Sequence, residues 1–137
     1  MSSRPSKRAV FADTSYFIAL VNPNDEAHAR AVEAAARYPR IVTTEAILIE
    51  LGNGLAAQRW RWLGVRIINM LRSNADVRIA PTTTEVLDRA VRLYVQHQDK
   101  EWGLTDCISF VTLRQSRLTN VLTLDHHFTQ AGFQVLL

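Results

Sequence analysis

The sequence holds a single cysteine, Cys107, in 137 residues. One thiol excludes an internal disulfide and a zinc site built on cysteines, and Cys107 is expected to be a small core residue. It also makes a reducing compartment, the cytoplasm, the default expectation. No apolar run approaches the roughly 18 residues of a membrane-spanning helix, so no membrane partner is expected. The basic start, Met1 to Arg8, leads into an apolar stretch that Asp13 interrupts, which does not read as a secretory signal. A glycine-rich phosphate loop is missing, as are internal repeats, low-complexity tracts and linkers. Ser15 has no evident base partner to make it a nucleophile. His28, His97, His126 and His127 do not fall at metal-motif spacing.

The composition is that of an ordinary soluble globular protein, 47% hydrophobic and 21% charged. The length suits one domain with its own core. Residues 1–8 read as a flexible basic tail and 9–137 as the folded unit.

Residues 9–12 (Ala-Val-Phe-Ala) predict a buried strand ending at a helix start, with a short helix over 14–21. Asn22-Pro23-Asn24-Asp25 is turn chemistry. An alanine-rich helix over about 25–38 stops at Pro39. Residues 40–43 predict a second strand. Thr44 is placed to cap a helix carrying Ile47, Leu48, Leu51 and Leu55. Gly52 and Gly54 weaken that helix, and a second helical piece covers 58–73. There, Trp60 and Trp62 alternate with Arg59, Arg61 and Arg66. That stretch suits base stacking, self-association, or simply a partly buried amphipathic helix. A third strand at 77–80 ends at Pro81, and a helix spans 82–97. After a loop containing Gly103, Thr105 is expected to cap a helix over 106–117. A fourth strand at 121–124, a helical turn at 126–131 and an edge strand at 133–137 complete the chain. Strands alternating with helices predict an α/β fold, a parallel sheet of about five strands with helices on both faces. Ligands of such sheets sit at the carboxyl ends of the strands, near a switch in strand order.

Asp13 falls at the carboxyl end of the first strand and Asp125 at that of the fourth. Asp106 opens the helix leading into the fourth strand, and Glu50 lies in the helix after the second. All four are compatible with one edge of the sheet. Gathered carboxylates repel, so at least one must be protonated or all must share a cation. An oxygen-only donor set favours Mg2+ or Mn2+ over zinc or copper. Plainer explanations exist for three of them. Asp13 and Asp125 suit helix N-caps, and Asp106 suits a helix N-terminus through its dipole. Glu50 interrupts Ile47, Leu48, Ile49 and Leu51, expected to form a buried face, where a charge is costly unless paired or metal-bound. Glu45, in the first helical turn, has sufficient electrostatic reason to be there and ranks below Glu50. His126 and His127, directly after Asp125, are candidates to touch a substrate phosphate.

The net charge is +3, from 16 basic and 13 acidic residues. Setting the four acids aside leaves 16 against 9, a surplus of seven. A basic body around an acidic hole suits a polyanion held near a metal. Abundant arginine alone accounts for it equally well.

Five strings, in this order and spacing, carry a resemblance: Val10 to Ser15, Asp25 to Ala29, Thr43 to Leu51, Leu104 to Phe110, and Leu122 to Phe133. The chain resembles the PIN-domain nucleases over residues 9–137, and within them the toxin halves of VapBC-type toxin–antitoxin pairs. The resemblance implies a three-layer α/β/α sandwich. It implies that Asp13, Glu50, Asp106 and Asp125 form a metal-binding, catalytic quartet. Thr14 or Ser15 would support the metal shell, and Thr123 matches the hydroxyl two residues before the last acid. The implied activity is Mg2+-dependent endoribonucleolytic hydrolysis of RNA, with Mn2+ as alternative metal. The implied partners are the RNA, a second copy of the chain contacting through 45–73, and a small antitoxin whose tail blocks the acidic groove. Two rivals are an RNA-processing PIN nuclease without antitoxin and a non-catalytic RNA- or protein-binding module, against which the intact quartet argues. A phosphotransferase using Asp13 as nucleophile lacks its second aspartate two residues on, where Ser15 stands.

Overall fold

The computed structural model describes residues 4–137. Strand β1 (Val10–Ala12) is buried at the centre of a five-stranded sheet. It pairs with β2 (Ile41–Thr44) on one side and β4 (Asn120–Leu122) on the other, while β3 (Val77–Ala80) and β5 (Gln134–Val135) form the edges. The order is β3-β2-β1-β4-β5 and every pairing is parallel. Parallel neighbours need crossovers, and helices supply them. Helices α1 (Thr14–Val21) and α2 (His28–Arg37) join β1 to β2; α3 (Glu45–Gly54) and α4 (Arg61–Ser73) join β2 to β3. Then α5 (Thr84–Gln96) and α6 (Leu104–Gln115) join β3 to β4, and the short α7 (His127–Gln130) joins β4 to β5. Right-handed crossovers put α1–α4 on one face and α5–α7 on the other. Most of the packing agrees: α1 touches α2 and α3, α3 touches α4, and α6 touches α5 and α7, while α3 and α6 also meet each other. The result is the expected three-layer sandwich on five parallel strands. Chain progression reverses between β1 and β4, so the switch point lies at their carboxyl ends.

Aromatic packing lies at the heart of the α6–α7 side. Phe110 is fully buried, and Trp102 and Phe128 meet its ring edge-on at 5.0 and 5.1 Å. Phe128 also reaches Phe11 of β1, at 6.3 Å. Thr44 caps α3 as expected, its hydroxyl accepting the Ile47 N–H at 3.1 Å. Thr44→Ala is expected to cost about 1 kcal/mol, read as a lower urea midpoint with unchanged slope.

Several boundaries differ from expectation, β5 shrinking to two residues and α4 starting at Arg61, and three of the differences have a clear local reason. The second helix begins at His28, not near 25, because Asp25 commits its carboxylate to the Ala27 N–H at 2.9 Å in a turn. Thr105 does not cap α6. Gly103 is the N-cap, and Asp106, in the first turn, accepts its N–H at 3.0 Å. Strand β4 stops at Leu122 because side-chain hydroxyls of Ser15 and Thr123 take the Leu124 and Asp125 amides, both at 2.9 Å.

Of the basic tail expected over 1–8, residues 1–3 lie outside the described residues. Ser6 N–H donates to Arg37 O at 2.8 Å, and Arg40 donates to Lys7 O at 3.0 Å. No helix of the described residues is long and apolar enough to cross a membrane.

Candidate active site

Hydroxyls lock the switch point together. Asp13 follows β1 directly and donates its N–H to Leu122 O at 3.2 Å, so the β1–β4 pairing runs up to the acid itself. Ser15 Oγ donates to Asp13 Oδ1 at 2.8 Å and accepts the Leu124 N–H. Ser15 Oγ also stands 3.2 Å from Thr123 Oγ1, so the two hydroxyls and the Asp13 carboxylate form one cluster. Thr123 in turn accepts the Asp125 N–H. One serine and one threonine thus set where Asp13 and Asp125 stand relative to each other.

Asp13 is 6% exposed. It occupies the N-cap position of α1, and its side chain approaches the Tyr16 amide without forming a capping hydrogen bond of good geometry. No ion pair among the described residues involves it. Burial pushes its carboxyl up to about 7 and the charge of Asp125 adds to this; Ser15, Thr123 and the Tyr16 amide pull the other way. A buried carboxylate without a counter-charge is costly. Asp13 is therefore the acid that structure alone explains least.

Asp106 and Asp125 meet through a histidine. His127 Nδ1 stands 3.1 Å from Asp106 Oδ2 and 3.1 Å from Asp125 Oδ1. An ionised carboxylate only accepts, so Nδ1–H donates to Asp106 Oδ2, while Asp125 Oδ1 lies equally near that nitrogen without accepting a hydrogen bond from it. Local bonds use both aspartates: Asp125 accepts the His127 N–H at 2.9 Å, although His126 and not Asp125 is the N-cap of α7, and Asp106, in the first turn of α6, accepts the Gly103 N–H. Burial raises the Asp106 carboxyl above its usual range, and the Asp125 charge adds to it. Asp125 is thus linked to Asp13 through Thr123 and Ser15 and to Asp106 through His127. The buried Phe128 anchors α7 beside them. Trp102 Nε1 donates to Gln130 Oε1 at 3.0 Å, which holds the segment before Asp106 against α7.

Glu50 departs from expectation. It is exposed, not on a buried face, and Ile49 beside it is 64% exposed. Helix α3 buries Ile47 and Leu51, one turn apart, with Leu48 partly buried beside them, and Ile49 and Glu50 turn outward. Burial therefore does not single out Glu50. What ties it to the site is a hydrogen bond from Thr14 Oγ1 to Glu50 Oε1. Thr14 and Ser15, offered as alternatives, have separate partners: Thr14 holds Glu50 and Ser15 holds Asp13. Glu45 is used elsewhere, accepting the Thr82 N–H at 2.8 Å.

The two histidines after Asp125 diverge. His126 is open to solvent, while His127 is turned inward. Asp125, His126 and His127 offer ligand atoms within 4.8 Å of one another. Sequence reasoning misses the bridging role of His127, whose only signal there is its place two residues after an acid. His97 stacks on Trp102 at 4.9 Å and binds Leu93 O, and His28 binds Ala19 O, so both serve the fold.

Hard oxygen donors, with no lysine or arginine paired to them among the described residues, fit a divalent cation. Ser15→Ala removes the support of Asp13 and one tie to β4. It is expected to lower any metal-dependent activity ten- to hundredfold, the usual effect of removing a group that supports a metal ligand, and to raise the metal concentration required. An unchanged metal titration contradicts this role.

The model of the PIN domain family matches residues 10–134, and the chain belongs to that family. The 23S rRNA-specific endonuclease VapC20 of Mycobacterium tuberculosis is 28% identical over 131 aligned positions, covering 90% of this chain and 95% of the relative. The crystal structure of VapC20, described as a sarcin-ricin loop cleaving toxin, matches with a TM-score of 0.83 and 27% identity, over 90% of this chain and 95% of that one. FitAcB from Neisseria gonorrhoeae shares the fold at a TM-score of 0.69 and 20% identity, over 93% and 96% of the two chains. VapBC2 from Rickettsia felis, bound to a DNA fragment from their promoter, does so at 0.67 and 12%, over 94% and 98%.

Proposed function

We propose that this chain is a metal-dependent endoribonuclease that hydrolyses RNA phosphodiester bonds and serves as the toxin of a toxin–antitoxin pair. What supports this reading is the chain of contacts at the switch point of a PIN domain: Asp13 through Ser15 and Thr123 to Asp125, Asp106 through His127 to Asp125, and Glu50 through Thr14.

The proposed cofactor is Mg2+, with Mn2+ as the alternative, held by Asp13, Asp106, Asp125 and Glu50. Such an ion activates water and offsets the charge that develops on the phosphate. The chain's own groups prepare the rest. Asp13 must ionise to hold a cation, and the Ser15 and Thr123 hydroxyls stabilise that form. The His127 ring keeps Asp106 and Asp125 aimed together. It acts as a positioning residue, whereas the exposed His126 is the better placed of the two to touch a substrate phosphate. Four unneutralised carboxylates would repel a phosphodiester, so RNA approaches only after positive charge has entered the site.

We take 9–137 as one nuclease domain with 1–8 as a basic extension. The proposed protein partners are a small antitoxin placing a basic residue in the acidic groove, and a second copy of the chain. For the second copy, the 45–73 stretch is the proposed interface, with Trp62 59% and Val65 55% exposed.

Structured ribosomal RNA is the first substrate to test, because a 28% identical relative acts on 23S rRNA. Pure protein with Mg2+ is expected to leave discrete new RNA ends on sequencing, and intact RNA would sink the nuclease reading. Expression alone is expected to arrest growth, and co-expression of the neighbouring gene to relieve it. Unimpaired growth contradicts the toxin role only.

A further inference from the structure

Away from the acids, α5 and α6 frame a cleft of about 250 Å3. Arg89 and Arg92 of α5 and Arg114 of α6 line it, with the amides of Gln96 and Gln115, over a floor that includes Val111. Among the described residues, no carboxylate lines this cleft. Guanidiniums only donate hydrogen bonds, so three around one space repel and none can satisfy another. Arg89 has an ion pair with Glu85 at 3.0 Å, but both side chains are largely exposed and such a pair is weak. Arg114 lies over the Phe133 ring at 5.9 Å, which positions it without neutralising it. Arg92 forms no ion pair among the described residues. Several guanidiniums around one cleft with no carboxylate in its lining are the chemistry that recognises a phosphate.

We infer that this cleft holds a backbone phosphate of the bound RNA strand, outside the carboxylate site; this rests on the nuclease reading above. Helix α6 links the two places. Arg114 follows Asp106 by eight residues, about 12 Å along one helix, a span that a few nucleotides of single strand cover. Most of α6 is buried, so the spacing is rigid. A neighbouring cavity shares Gln115 and sets Arg78 against Glu85, so the unbalanced positive charge is confined to the cleft itself. The surplus of basic residues outside the quartet thus has a defined place to act.

The test uses Asp106→Asn as parent, so that RNA binds without being cut. Binding of labelled single-stranded RNA is followed by fluorescence anisotropy across a salt series. Adding Arg92→Gln and Arg114→Gln is expected to weaken binding at least tenfold. The slope of log K against log salt should shrink by about 0.7 for each phosphate that is no longer held. The Arg92→Lys, Arg114→Lys pair keeps the charge and is expected to retain the slope, which also controls for folding. Unchanged affinity in the glutamine pair overturns the proposal. Weaker binding with an unchanged slope also overturns it, as does a parent that binds no RNA. The nuclease reading fails on a different arm: a wild-type protein that binds RNA through these arginines but leaves it uncut with Mg2+ keeps the phosphate site and loses the catalysis.

Discussion

Asp106→Asn is expected to lower RNA cleavage at least about a thousandfold with the fold intact. The side chain accepts from Gly103 N–H and faces His127 Nδ1. Asparagine keeps an accepting oxygen for the glycine amide, so the start of α6 survives. What disappears is the charge facing Asp125 and the proposed cation. Groups that merely support a metal ligand are worth ten- to a hundredfold, and a ligand should exceed that. Three decades correspond to about 4 kcal/mol of transition-state stabilisation. The checks are single-turnover cleavage of a labelled RNA and a melting curve. Retention of a tenth of the activity contradicts a ligand role for Asp106. A collapsed melting temperature would move its importance from chemistry to folding.

Stability without metal should fall as pH rises. The Asp13 carboxyl, ordinarily at 3.8, titrates at about 7 in the folded protein. The folded state therefore binds this proton more tightly. The resulting stabilisation is fully present below about pH 4 and is lost as pH rises through about 7. A shift of about three units amounts to roughly 4 kcal/mol as an upper figure. Asp106, also raised, acts in the same direction. Asp13→Asn removes the Asp13 share. In chelator at pH 8 this variant should melt above the wild type although it is inactive, and at pH 4 the gap should close. Metal reverses the order. At a hundred times its dissociation constant it stabilises the wild type by roughly 3 kcal/mol, and the asparagine variant by much less. Calorimetry at pH 4 and pH 8, with and without Mg2+, reads all four states. An Asp13→Asn variant less stable than wild type in chelator at pH 8 would overturn this account of Asp13.

The fold is legible in the sequence because its signals are local. Short apolar runs at 9–12, 40–43, 77–80 and 121–124 fall where four strands lie, and Thr44 caps the helix its position suggests. Spacing alone puts Asp13 at the right strand end. What the sequence hides depends on partners far along the chain. β4 ends early because Ser15, 109 residues away, takes the Leu124 amide. The turn of His127 toward Asp106 spans 21 residues and follows from Phe128 and Trp102 anchoring two segments against each other. Glu50 misleads for another reason. Ile47, Leu48, Ile49 and Leu51 are all apolar, yet a helix turns only part of such a run inward, and Ile49 and Glu50 face out. The most informative acid is therefore Asp13, whose burial no linear pattern announces.

Cleavage of a labelled RNA by pure protein, dialysed against EDTA and then assayed with and without added Mg2+, tests the central claim most directly. Cleavage that is absent in chelator and restored by the ion is the predicted result. Cutting that persists at full rate in EDTA would contradict a divalent-ion site formed by Asp13, Glu50, Asp106 and Asp125.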